Sequence, residues 1–137
     1  MPIYYHKENV DVVFDTNKTS NWLISSIEEM GFKCGDTSVI FCNDEYSKNI
    51  NKKYLNHDYY TDIITFDYSV NDLISGDLFV SIDRVKENAI LNNDKFIREL
   101  YRVIIHGILH LCGYKDKTNS QKKIIREKED YFIGLIN

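Results

Sequence analysis

The stretch that most constrains this chain is the apolar run Phe96–Cys112 and the motif that closes it, His106-Gly-Ile-Leu-His110-Leu-Cys-Gly113. Leu100, Val103, Ile104, Ile105, Ile108, Leu109 and Leu111 make the run apolar on nearly every side, so it is expected to be a core helix. His106 and His110 are four residues apart, which on a helix sets them about 40° apart on one face. Two imidazoles in a core need partners. Two hydrogen-bonded core histidines would satisfy that need; so would a single metal ion bound by both. Gly107 between them costs about 1 kcal/mol against alanine in a helix, so it points to a close backbone approach there. Gly113 has the place of a helix-ending C′ glycine. The turn after it brings Asp116 within reach as a third, oxygen ligand. Cys112 is not an obvious ligand, because it points about 160° away from His110.

At 137 residues the chain is expected to be one domain, 1–137, with room for a real core. Its 43% hydrophobic and 28% charged residues fit an ordinary globular protein. No apolar run approaches the length of a membrane span, and Met1-Pro2-Ile3 reads as a true start without a signal peptide. The three cysteines, Cys34, Cys42 and Cys112, form no disulfide framework and are read as reduced thiols of a cytoplasmic chain. A net charge of −4 argues against strong nonspecific nucleic-acid binding by the whole surface. The cations are nevertheless grouped. Lys48, Lys52 and Lys53 form one set; Lys115, Lys117, Lys122, Lys123 and Arg126 form another, just after the histidine motif. Such runs are either solvated helix faces or, for the second set, the rim of the site.

The expected elements are strands at Ile3–His6, Thr37–Cys42, Asp62–Tyr68 and Asp77–Ile82, with a turn or loop over Val70–Ser75. Helices are expected at Asn17–Met30, Asp44–Tyr54 (with Asp44 as N-cap), Asp83–Leu91, Phe96–Cys112 and from Thr118 to Tyr131. The last opens with the capping box Thr118-x-x-Gln121. This order predicts an α+β fold, a mixed sheet of about four strands packed by helices, with the histidine helix central.

These motifs resemble the YbeY family of endoribonucleases. The family's H-G-x-L-H-L-x-G-Y-D-H is similar to His106-Gly107-Ile108-Leu109-His110-Leu111-Cys112-Gly113-Tyr114-Lys115-Asp116. Asn51, Tyr54, Asp58 and Thr61-Asp62-Ile63-Ile64-Thr65-Phe66 resemble its N-x-x-Y-R-x-x-D-x-x-T-D-V-L-S-F segment, and Gly76-Asp77-Leu78-Phe79-Val80-Ser81 its G-D-I-x-I-S strand. Two positions depart: Asp116 stands at the family's third histidine and Leu55 at its arginine. Lys52, Lys53 or Arg102 are the cations that would have to substitute for that arginine.

The resemblance implies a zincin-like fold and a single-strand-specific endoribonuclease with one zinc ion per chain. His106, His110 and Asp116 would bind the zinc, and the two histidines would act through it. The implied process is ribosomal RNA maturation at the 16S 3′ end, with the rRNA precursor and the small ribosomal subunit as partners. The implied setting is the cytoplasm, with no membrane and no organic cofactor. Lys52, Lys53, Lys115 and Lys117 are read as RNA contacts. Gly107 occupies the place where H-E-x-x-H peptidases carry a glutamate base, which argues against peptidase chemistry. Asp62 and Thr65 are candidates for a base, against the simpler role of strand-end hydrogen bonding. His6 and His57 are expected to be surface histidines, and Tyr59, Tyr60 and Tyr114 are the tyrosines best placed to stack on bases. Two other classes stay open: a non-catalytic, metal-stabilised ribosome-assembly factor, and a metal-dependent hydrolase with a non-RNA substrate.

Overall fold

The computed structural model describes residues 2–136; Met1 and Asn137, the two ends of the predicted 1–137 domain, lie outside the described residues. The elements are β1 (Ile3–Lys7), α1 (Thr16–Glu29), β2 (Lys33–Cys42), α2 (Asp44–Leu55), β3 (Ile63–Asp67), β4 (Leu73–Ser81), α3 (Ile82–Leu91), α4 (Phe96–Leu111) and α5 (Asn119–Ile136). The fold is α+β, with a four-stranded mixed sheet in the order β1-β2-β4-β3. β1, β2 and β4 run parallel, and β3 joins β4 antiparallel at one edge.

The two-residue period of a strand divides β3 between two environments. Ile63, Thr65 and Asp67 pair with Val80, Leu78 and Gly76 of β4. On β4 this face carries the buried side chains Leu78 and Val80 that meet α4. Ile64 and Phe66 share the other face with Phe79, where Phe66 packs edge-on against Phe79 and Tyr54, and Tyr46 stacks on Phe79. Thus α2 covers one side of the β3–β4 hairpin and α4 the other.

Helix α4 is the core of the molecule, as its apolar pattern requires. Leu100, Ile104, Ile105, Ile108 and Leu109 are fully buried, and burial of each such side chain is worth about 1.5–3 kcal/mol. Gly107 lets the helix lie close on the sheet: a Cβ there would come within 2.6 Å of Ile63 Cδ1 and 3.0 Å of Leu78 Cδ2.

Several boundaries differ from the sequence expectation. β2 begins at Lys33 rather than Thr37, because β4 supplies a partner for Lys33 and Cys34 across a bulge. Gly35 permits that approach, since a Cβ there would sit 2.8 Å from the Ile74 carbonyl oxygen. The turn expected over Val70–Ser75 is shorter: Val70 and Leu73 bridge each other, Asn71 takes φ 56°, and β4 starts at Leu73. Asn43, not Asp44, caps α2, accepting from the Tyr46 backbone N–H at 2.8 Å. The Asp44 carboxylate is engaged instead by Arg84 and the Ser81 hydroxyl. Helix α5 runs past Tyr131 to Ile136, since Phe132, Ile133 and Ile136 bury against the core.

All three cysteines are free. Burial, reinforced by nearby carboxylates, pushes the Cys34 thiol up to about 11 and the Cys42 and Cys112 thiols up to about 12. A thiolate is the reactive form, so native protein at pH 8 is expected to react slowly with a disulfide reagent. Denatured protein should titrate three thiols rapidly. Fast labelling of all three thiols in native protein would contradict the burial of Cys42 and Cys112.

Candidate metal centre

Local sequence builds the turn that assembles this site. Helix α4 ends in a Schellman pair: the Gly113 N–H donates to the His110 carbonyl at 3.0 Å, and the Tyr114 N–H to the Leu109 carbonyl at 3.0 Å. Gly113 takes φ 98°, which suits glycine. The reversed chain returns the Tyr114 carbonyl to His110, whose Nδ1 lies 2.9 Å from it. Two residues on, Asp116 faces both imidazoles. It is free to do so because the start of α5 is capped by others. Thr118 Oγ1 accepts from the Gln121 N–H at 3.1 Å, and Gln121 Oε1 accepts from the Thr118 and Lys117 N–H groups at 3.0 Å.

The ring nitrogens converge. His106 Nε2 and His110 Nε2 are 2.9 Å apart, and Asp116 Oδ2 is 3.3 Å from the first and 3.4 Å from the second. The opposite ring atoms face acceptors: His106 Nδ1 lies 2.6 Å from Glu129 Oε2, and His110 Nδ1 lies 2.9 Å from the Tyr114 carbonyl oxygen. A carboxylate and a carbonyl have no proton to give, so each Nδ1 must donate. When both imidazoles are neutral, this leaves bare Nε2 lone pairs aimed at each other and at the Asp116 carboxylate. Three electron pairs meet with no donor between them, an arrangement that calls for a cation. A tetrahedral ion held at ~2.0–2.1 Å sets its donor atoms roughly 3.3 Å apart, close to the spacings found. His106, His110 and Asp116 are the group among the described residues whose donor atoms, all within 4.8 Å, could hold a metal ion.

A second layer was not legible in the motif. Glu129 of α5 is only 4% exposed and backs His106. Its other oxygen, Oε1, accepts from Arg102 Nη1 at 3.1 Å, and Arg102 Nη2 reaches Asp130 Oδ1 at 2.8 Å. Burial alone would lower the His106 pKa. The hydrogen bond and charge of Glu129, with the charges of Asp62 and Asp116, outweigh it and raise the pKa. The signal for Glu129 was present as a stripe: Ile125, Glu129, Phe132 and Ile136 recur at helical spacing and are all buried. A single carboxylate in an apolar stripe demands a partner.

Two cavities flank the donor set. The larger, of about 700 Å³, is lined by Leu55, Thr61, Thr65 and Lys117 beside His110. The other, of about 410 Å³, lies toward Arg102, Lys122, Arg126 and Glu129. Asp62, His106 and Asp116 border both. Burial raises the Asp62 carboxyl pKa, partly offset by the nearby charge of His106, and its Oδ2 accepts from Asn88 at 3.3 Å.

The predicted residues divide accordingly. Lys117, Asp62 and Thr65 border the site. Lys52, Lys53 and Lys115 are exposed and border neither cavity. Arg102 does not replace the missing arginine, because it is buried and committed to Glu129 and Asp130. Leu55, 40% exposed, stands in the cavity wall. Buried Asn51 acts on the backbone, donating from Nδ2 to the Tyr59 carbonyl at 3.1 Å and so fixing the segment that leads to Thr61. His57 is exposed and stacks on Tyr59, while His6 lies on β1, at the edge of the sheet opposite β3.

A family model described as Endoribonuclease YbeY matches residues 4–136. A Parabacteroides distasonis protein named Endoribonuclease YbeY is 45% identical over 137 residues, covering 99% of this chain and 96% of its own length. One from Christiangramia forsetii is 45% identical over 135 residues (98% and 94%), and one from Azobacteroides pseudotrichonymphae 50% over 118 residues (86% and 85%). A Thermotoga maritima protein solved in solution is 27% identical with a TM-score of 0.69, covering 98% of this chain and 88% of its own.

Proposed function

The chain belongs to the YbeY family, and from that premise we propose that it is a zinc-dependent, single-strand-specific endoribonuclease acting as one domain, 1–137. Its substrate is the ribosomal RNA precursor at the 16S 3′ end, its setting the small ribosomal subunit in the cytoplasm. His106, His110 and Asp116 hold the zinc, on a zincin-like arrangement of ligand helix and edge strand. The observation that carries this reading is the convergence of His106 Nε2, His110 Nε2 and the Asp116 carboxylate within 2.9–3.4 Å.

A bound zinc ion would polarise a phosphoryl oxygen and acidify water, the two demands of phosphodiester hydrolysis. The protein's own groups do the rest. Glu129 and the Tyr114 carbonyl hold the imidazoles in the Nδ1–H form. Asp62, which borders both cavities and has its pKa raised by burial, is the candidate general base. Labelled single-stranded and duplex RNA, incubated with and without chelator, tests the reading, with His110→Ala excluding a contaminating nuclease. Chelator-sensitive cutting of the single strand alone is expected. Cutting that survives chelator or His110→Ala would overturn it.

A second reading, a non-catalytic ribosome-assembly factor stabilised by the metal, draws on the apolar Leu55 in the cavity wall. Cleavage by the unmodified protein decides between the two, and Leu55→Arg tests whether the missing charge limits it. A charge placed beside a developing phosphoryl charge can be worth on the order of 3 kcal/mol, so the variant is expected to cleave faster than the unmodified protein. A folded Leu55→Arg protein with no gain would mean that another group already supplies this charge.

A further inference from the structure

We propose that the two cavities flanking the donor set form one channel for a single strand of RNA, gripped by cations on both sides. This rests on the endoribonuclease reading. The cavities share Asp62, His106 and Asp116, so they meet at the donor set rather than either ending there. Both lie in the range of about 300–1,000 Å³ that takes single small molecules. A nucleotide splayed from a single strand fits that scale, whereas a stacked duplex keeps its bases inside.

The charge is arranged on the same plan. Of the 17 Lys and Arg in a chain of net charge −4, Lys117 is the one bordering the larger cavity among the described residues. Lys122 and Arg126, one turn apart on α5, border the other. All three are exposed. Arg126 approaches Glu129 only at 3.7 Å, which leaves guanidinium donors for a phosphate. Two of the carboxylates beneath are committed, Glu129 to Arg102 and His106 and Asp116 to the imidazoles; Asp62 also lines both cavities, with Glu99 in the smaller and Asp67 in the larger, so the three cations act against a partly acidic floor. Lys123, between the two α5 cations in sequence, borders neither cavity. A strand entering one cavity and leaving by the other presents an internal phosphodiester to the donor set, so no chain end is needed.

The test is the anisotropy of a short fluorescein-labelled single-stranded RNA, titrated over a range of salt in chelator, where cleavage is stopped. It is repeated with zinc-loaded protein and single-stranded DNA of the same sequence. Each of Lys117→Gln, Lys122→Gln and Arg126→Gln is expected to weaken binding several-fold and to flatten the log-affinity against log-salt slope by about 0.7. The triple variant should flatten it by about 2. Lys123→Gln should leave both unchanged, and duplex RNA should bind more weakly. The channel is overturned if the triple variant binds like the unmodified protein, or if Lys117→Gln is silent while the α5 variants are not. It is also overturned if Lys123→Gln weakens binding as much as Arg126→Gln. Unmodified protein that binds as expected yet never cuts with zinc restored would overturn the catalytic reading and leave the channel standing.

Discussion

Unmodified protein is expected to carry about one zinc per chain, and the His106→Ala/His110→Ala protein to carry none. Two of the three donor atoms that lie within 4.8 Å of one another are then gone, and a single half-buried carboxylate does not hold zinc. Asp116→Asn is the sharper variant. It preserves shape and a hydrogen-bonding oxygen but is a poor zinc ligand, and the helix cap does not depend on it because Thr118 and Gln121 cap each other. Since a metal bound only to the native state stabilises it, about 2.7 kcal/mol at a free concentration of 100 Kd, chelator should lower the melting temperature of the unmodified protein and not of the alanine pair. Asp116→Asn protein that binds zinc as tightly as the unmodified protein would remove Asp116 from the ligand set.

The pH dependence has opposite signs with and without metal. In metal-free protein the His106 pKa is raised above 6.5. The stability it contributes is therefore fully present below 6.5 and is lost as pH rises through the raised value. Zinc needs the imidazoles deprotonated, so zinc-dependent stability grows over the same interval. Melting curves of chelated and zinc-loaded protein should diverge as pH rises above 6.5. Parallel curves would show that His106 and the metal do not share a site.

Substitution of Glu129 is expected to have the other large effect, and its two variants should behave differently. Glu129→Ala strands the buried Arg102 guanidinium, which keeps only the half-exposed Asp130. Breaking a buried pair from one side costs about 3–5 kcal/mol, a loss that urea denaturation would read directly. Glu129→Gln keeps the volume and an oxygen to accept from His106 Nδ1, so it should fold. It loses the charge that makes His106 a stronger donor, and zinc affinity should fall about 10–100-fold in a competition assay. The paired change Arg102→Met with Glu129→Leu should cost less than Glu129→Ala alone, because neither member of this ion pair is left buried without the other. A stable Glu129→Ala protein with unmodified zinc affinity would refute the role.

Expectations drawn from short stretches were met where the deciding contacts are themselves short-range. The apolar run made α4 a core helix, Gly113 ended it, and Thr118 with Gln121 opened α5. His106 and His110 lie on one face because the helix repeat places residues four apart side by side. Boundaries set by a neighbouring strand were missed. Lys33–Asp36 has little strand character, and only the approach of β4 draws Lys33 and Cys34 into the sheet. Asp44 looked like a cap because acidic residues cap well, yet Arg84, forty residues away, claims it.

The division follows from range. Helix period, caps and the ligand spacing depend on residues within a few positions of one another, so the sequence alone determined the core helix, its end, and the pair of histidines that share a face. The partner of each histidine's far nitrogen, the loss of Arg102 to an internal ion pair, and the choice of Lys117, Lys122 and Arg126 over Lys52, Lys53 and Lys115 as neighbours of the donor set were decided by tertiary structure. His106 and Glu129 are separated by 23 residues. They meet because α5 packs against α4 at one particular rotation, and that rotation is fixed by the burial of Ile125, Phe132, Ile133 and Ile136, not by any spacing within the motif.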